Sequence, residues 1–172
     1  MGSRAGVGVA FGADDEHQVS KAFTSLDFGG VDSKRTSQIA ELRAALEAIN
    51  TINRFYDDYR PGTETAPGSL KRKKLHQHLD DREPMNWIIA MDSEYVVRGV
   101  TEWLPKWREN GFVNSQGTTP ANLNLFLHLD AAISSVEDGR KIQVFFWKIP
   151  RDSDSIADKL AKAAAQLDTP TH

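Results

Sequence analysis

Three carboxylates stand where an acid is costly to place. Asp92 ends the apolar run Trp87-Ile88-Ile89-Ala90-Met91, Glu41 sits among Ile39, Leu42 and Ala45, and Asp158 lies between Ala157 and Leu160-Ala161. An unpaired charge among apolar neighbours is unfavourable, so such acids call for a cation. A hard divalent ion meets that need: Mg²⁺ takes carboxylate and water oxygens, and acidic clusters around it support phosphoryl transfer. The plainer alternative makes Asp92 or Ser93 a cap of the next helix and the three acids unrelated.

The elements that must position these acids can be read from periodicity. Met85 to Met91 is short, apolar and rich in β-branched residues, the pattern of a strand buried on both faces. Its last residue then emerges at the carboxyl edge of a sheet, where open α/β folds place their sites. Ser33 to Tyr59 carries an apolar stripe (Ile39, Leu42, Ala45, Leu46, Ile49, Ile52, Phe55) at helical spacing, with Thr36 or Ser37 as cap. Arg4 to Phe11 and His17 to Phe28 read as an antiparallel hairpin. Arg60 to Ser69 is a loop with proline and glycine breaks, and Leu70 to Arg82 a short charged helix. Glu94 to Asn110 is helical, with Pro105 kinking it or starting a second segment. Pro120 suits the first turn of a helix continuing through Leu123, Phe126, Leu129 and Val136, which Gly139 stops. Lys141 to Ile149 is a second strand, and Asp152 to Leu167 a last helix capped by Asp152 or Ser153. This order predicts a mixed α/β fold with one main sheet.

Composition narrows the class of protein. The 172 residues are 40% hydrophobic and 26% charged, as in an ordinary globular domain. The absence of cysteine excludes disulfides and cysteine-ligated zinc. A formal charge of −3 gives no global basic signature, so a phosphate-rich partner would have to meet a local basic patch or bound metal. The run Lys71-Arg72-Lys73-Lys74 is one such patch, or else a solvated helix face. No apolar stretch approaches the ~18 residues that span a bilayer. The expectation is a soluble intracellular protein, nuclear or cytoplasmic, with no membrane partner.

Four segments, in order, carry a family resemblance. Thr36, Gln38 and Glu41 match the Thr-x-(Asn/Gln)-x-x-Glu-Leu start of a helix in type-1 ribonucleases H. Asp92-Ser93-Glu94-Tyr95-Val96, followed by Thr101-Glu102-Trp103 and Trp107, resembles that family's Asp-Ser-x-Tyr-Val segment. Thr119 to Leu125 resembles the loop into its next helix, and Ile149-Pro150-Arg151 through Ala157-Asp158-Lys159-Leu160-Ala161 the ending of many eukaryotic members. The similarity spans roughly residues 4–167, leaving 168–172 as a frayed tail and 60–84 as an insert.

The resemblance implies a ribonuclease H-like mixed sheet flanked by helices. It also implies hydrolysis of the RNA strand of an RNA–DNA hybrid by two metal ions, Mg²⁺ or alternatively Mn²⁺. Glu41, Asp92 and Asp158 would be three of the four acidic ligands, with the ions about 3.5–4 Å apart activating water and stabilising the leaving oxygen. Ser37, Gln38 and Asn122 occupy positions that would touch ribose 2′-hydroxyls in the hybrid's minor groove. Trp103 and Trp107 are expected to pack rather than stack on bases.

The sequence also departs from the family. The family's first, central strand carries the remaining aspartate, whereas Arg4 to Val9 already resembles the second strand and Met1-Gly2-Ser3 is too short to precede it. Asp14 and Asp15 fall in the hairpin turn, and Ile39 replaces a common arginine. The expectation is therefore an endoribonuclease impaired by a missing strand and aspartate. The alternative is a non-catalytic ribonuclease H-like domain that binds nucleic acid or protein.

Overall fold

The structure, a computed structural model, describes residues 5–10, 19–23, 36–58, 85–138, 140, 142–153 and 155–167. The expected turn at 12–16, the 60–69 loop, the 70–82 helix with its basic run, and the tail after Leu167 lie outside the described residues.

Helix α1 (Ser37–Asp58) follows its apolar stripe: Leu42, Ala45, Ile49 and Ile52 are all buried. Of the two candidate caps, Thr36 fills the role, its Oγ1 accepting the Ile39 N–H at 3.3 Å. Strands β1 (Ala5–Val9) and β2 (Val19–Phe23) pair antiparallel, as the hairpin pattern predicts, with Val7 opposite Lys21. Strands β3 (Met85–Met91) and β4 (Ile142–Lys148) pair parallel, Met85 opposite Ile142 and Met91 opposite Lys148. The Ile149 N–H extends that ladder by one bond to the Met91 carbonyl, 3.0 Å.

Two features of the sheet differ from expectation. The described strands form two two-stranded sheets instead of one, β1–β2 and β3–β4. A cavity of about 540 Å³ is bounded by Gly8 and Val9 of β1 with Ala10 just after it, Trp87 to Asp92 around β3, and the Ala44, Ala45 and Ala48 face of α1. Strand β3 is also not buried on both faces. Trp87, Ile89 and Met91 turn towards the core, whereas Ile88 is 57% exposed and its parallel neighbour Phe145 is 47% exposed. An apolar run cannot reveal whether a second layer covers its far side, which is why the reading failed there.

The connection from β3 to β4 holds the helical layer. It comprises α2 (Glu94–Arg98), a π-helical turn (Gly99–Trp103), α3 (Leu104–Glu109) and α4 (Leu123–Glu137). The second segment expected at Pro105 does begin there, α3 carrying Pro105 in its first turn, and a π-helical turn from Gly99 precedes it. A Cβ built at Gly99 would lie 2.2 Å from Cε1 of Phe126, so the Phe126 ring, fully buried, presses directly on this backbone. Helix α4 begins at Leu123 and not at Pro120, because Asn122 takes the left-handed conformation (φ 57°) before it. Trp103 and Trp107 join Tyr95 and Phe126 in one aromatic cluster with ring centroids 5.4–6.1 Å apart, the packing role expected of them.

Helix α5 (Ser155–Leu167) follows a 3₁₀ turn at Arg151–Ser153, which displaces the expected start at Asp152. It lies across β1 and β2. Gly8 makes that approach feasible, since a Cβ there would stand 2.1 Å from the Ala157 carbonyl oxygen. The close packing sets where Asp158, one residue on, leaves the helix.

Candidate active site

Asp92 sits just past the carboxyl end of β3, and Ser93 opens α2 immediately after it. The Ser93 hydroxyl has two partners. It accepts the Val96 N–H at 3.3 Å, capping α2, and donates to Oε2 of Glu41 at 2.6 Å. The capping alternative for Ser93 is therefore correct, and it coexists with a link between the first helix and the strand end. Ser93 is only 4% exposed, so this bond is shielded from water. It brings Glu41 to the end of β3, and Glu41 and Asp92 line the same cavity.

Each of the three expected ligands has an internal donor. Glu41 takes the Ser93 hydroxyl, Asp92 Oδ2 takes Nε–H of Arg151 at 2.9 Å, and Asp158 Oδ2 takes the ammonium of Lys162 at 2.5 Å. Asp158 is 55% exposed, so the argument from buried charge does not apply to it. It does not line the cavity, although Ala157 and Ile156 beside it do. Among the described residues, no group of three or more His, Asp or Glu side chains is gathered tightly enough to hold a metal ion.

Arg151 nevertheless reports a shared field. The hydrogen bond from Arg151 to Asp92 and the Asp92 charge push its guanidinium further above its ordinary pKa, and the charges of Glu41 and Asp158 add to the shift. The donor set fits a hard cation: two carboxylates at one cavity, with a cationic side chain already on one of them. Of the three expected ligands, only Glu41 and Asp92 line this cavity; an ion taken up there would supply Lewis acidity for hydrolysis.

The expected nucleic-acid contacts divide. Ser37 and Gln38 are exposed at the start of α1. Asn122 is half-buried and engaged, its Nδ2 donating to the Tyr95 hydroxyl at 3.1 Å while that hydroxyl donates to the Ala121 carbonyl at 3.2 Å. Burial raises the Tyr95 pKa; the Asn122 hydrogen bond pulls it back and the Glu41 charge pushes it further up. Arg108 is paired with Asp130. Sequence reasoning did not assign Ser93 its link to Glu41 or Arg151 its hold on Asp92. The Lys162 partner of Asp158 was visible in the spacing, since residues four apart on a helix are neighbours.

Comparison with known proteins finds no matching family model. It does find sequence relatives named ribonuclease H. Ribonuclease HI of Streptomyces coelicolor is 35% identical over 81 residues, covering 45% of this chain and 32% of the relative. Ribonuclease H of Geotalea uraniireducens is 28% identical over 149 residues, covering 84% of this chain and 77% of the relative. The chain spans only about a third of the length of some curated relatives it matches. Among solved structures, a foamy viral protease-reverse transcriptase in complex with double-stranded DNA aligns over 93% of this chain and 78% of its own. The TM-score is 0.53 and the identity 24%. The same kind of protein in complex with an RNA/DNA hybrid aligns over 88% of this chain and 16% of its own, with TM-score 0.51 and 23% identity. The fold is mixed α/β, as the order of elements predicts, and the solved structures it resembles share that fold.

Proposed function

We propose that residues 4–167 form a ribonuclease H domain of the type-1 kind that hydrolyses the RNA strand of an RNA–DNA hybrid with two Mg²⁺ or Mn²⁺ ions. The observation that carries the reading is the convergence of Glu41 and Asp92 on one cavity at the end of β3, joined by Ser93. Asp92, Glu41 and Asp158 are the residues that would hold the ions, Asp92 from the end of β3, Glu41 from α1 and Asp158 from α5. Ser37, Gln38 and Asn122 meet the hybrid's minor groove, where 2′-hydroxyls distinguish RNA from DNA.

The slot between β1 and β3 supports a second part of the reading. Its walls are two strands and its floor is the alanine face of α1, a space suited to a further strand bearing a fourth carboxylate. Among the described residues no strand fills that slot. An alternative is a domain that binds hybrids without cutting them. It is favoured by the cations on Asp92 and Asp158, which neutralise two of the three acids.

A labelled hybrid incubated with the chain and Mg²⁺ or Mn²⁺ tests both. Scission of the RNA strand alone, lost in Asp92→Asn, is the expected result. Binding without scission would select the alternative, and neither binding nor scission would overturn both.

A further inference from the structure

Arg151 stands in an unusual position for a surface arginine. It occupies the 3₁₀ turn directly after β4, its side chain is 86% exposed, and among the described residues its ion pair is with Asp92. Asp92 is the less accessible partner, with its side chain 24% exposed. The bond goes to Oδ2, one of the two carboxylate oxygens that Asp92 could offer an ion. A guanidinium and a hard cation compete for a carboxylate lone pair in the same way, and both cannot hold one oxygen at full strength.

We propose that Arg151 is the site's resident counter-cation, holding Asp92 in the ion-free chain and lowering the site's affinity until it is displaced. The inference rests on the reading of Glu41 and Asp92 as ion ligands. Arg151 is thus a positioning residue that acts through Asp92. Its exposure makes displacement easy: an exposed pair is weak, and nothing buried has to move for the side chain to swing outward. The same weakness bounds the effect to a small factor.

The test uses the full chain and Mn²⁺ alone, followed by the loss of the free-ion electron paramagnetic resonance signal. Arg151→Gln is expected to bind Mn²⁺ about two- to fivefold more tightly than the unaltered chain. Lys148→Gln removes the same charge from a lysine whose ammonium donates to the Ile149 carbonyl, and is expected to change affinity less. In an Asp92→Asn background, Arg151→Gln is expected to add nothing, because the partner it releases is gone. Unchanged or weaker binding in Arg151→Gln would overturn the inference, as would equal tightening in the Asp92→Asn background. If neither the unaltered chain nor Arg151→Gln binds Mn²⁺ while circular dichroism shows both folded, the metal reading itself fails.

Discussion

Ser93 and Glu41 lie fifty-two positions apart in sequence and share a 2.6 Å hydrogen bond at the carboxyl end of β3. Because the same hydroxyl caps α2, the start of that helix and the orientation of the Glu41 carboxylate depend on one oxygen. Ser93→Ala should therefore lower stability by about 1–2 kcal/mol, the range for a lost N-cap. Urea unfolding followed by circular dichroism measures it. A midpoint unchanged from the unaltered chain would mean that neither bond matters.

The three acids should differ in weight. Asp92→Asn is expected to weaken Mn²⁺ binding by more than about tenfold, since it removes a ligand itself, where loss of a supporting group already costs 10–100-fold. Glu41→Gln should behave similarly, because both acids face one cavity. Asp158→Asn should have the smallest effect, its carboxylate being exposed and held by Lys162. Titration of the three variants with Mn²⁺ gives the ranking, and a dominant Asp158 would reverse it.

Gly8→Ala tests the seat of α5. The added methyl would meet the Ala157 carbonyl oxygen at 2.1 Å, backbone against backbone, so the helix has to shift. A loss of about 1–3 kcal/mol is expected, typical of overpacking. Thermal unfolding measures it, and a neutral result would show that α5 rides loosely on β1.

Tyr95 makes stability depend on alkaline pH. Its folded pKa lies above the ordinary 10.0, chiefly through burial. Between the unfolded and folded values the unfolded chain has lost this proton and the native chain has kept it, so stability falls as pH rises. The contribution is complete below about pH 10 and disappears as pH passes the folded value. Tyr95→Phe should flatten that part of the curve when unfolding at about pH 9 and about pH 11 is compared. Equal slopes in the two proteins would contradict the assignment.

Much of this arrangement was legible in the sequence because local periodicity dictates it. Leu42, Ala45, Ile49 and Ile52 recur at helical spacing and are buried together, and the runs at 85–91 and 142–148 could only be strands. What escaped was long-range or geometric. The exposure of Ile88 and Phe145 depends on which elements cover a sheet, not on the strands' own residues. The need for glycine at position 99 comes from the Phe126 ring, which lies in a different helix. Asn122 in the left-handed region, just before α4, delays that helix past Pro120. At the site, residue types drew attention to Glu41 and Asp92 as candidates, but their donors, Ser93 and Arg151, emerged only from contacts across the chain.

The parallel pairing of β3 with β4 carries a consequence for the order of folding. Adjacent strands of a hairpin can meet early, but β4 can dock on β3 only after the chain between Asp92 and Arg140 has been gathered into a crossover. Closing that loop is entropically unfavourable until the helices α2 to α4 and their aromatic cluster have shortened it. The β3–β4 ladder should thus be a late event, with the Trp103–Trp107–Phe126 cluster as an early one. Ile142, 3% exposed at the head of β4, is the probe: trimming it to valine should speed unfolding while leaving the folding rate nearly unchanged.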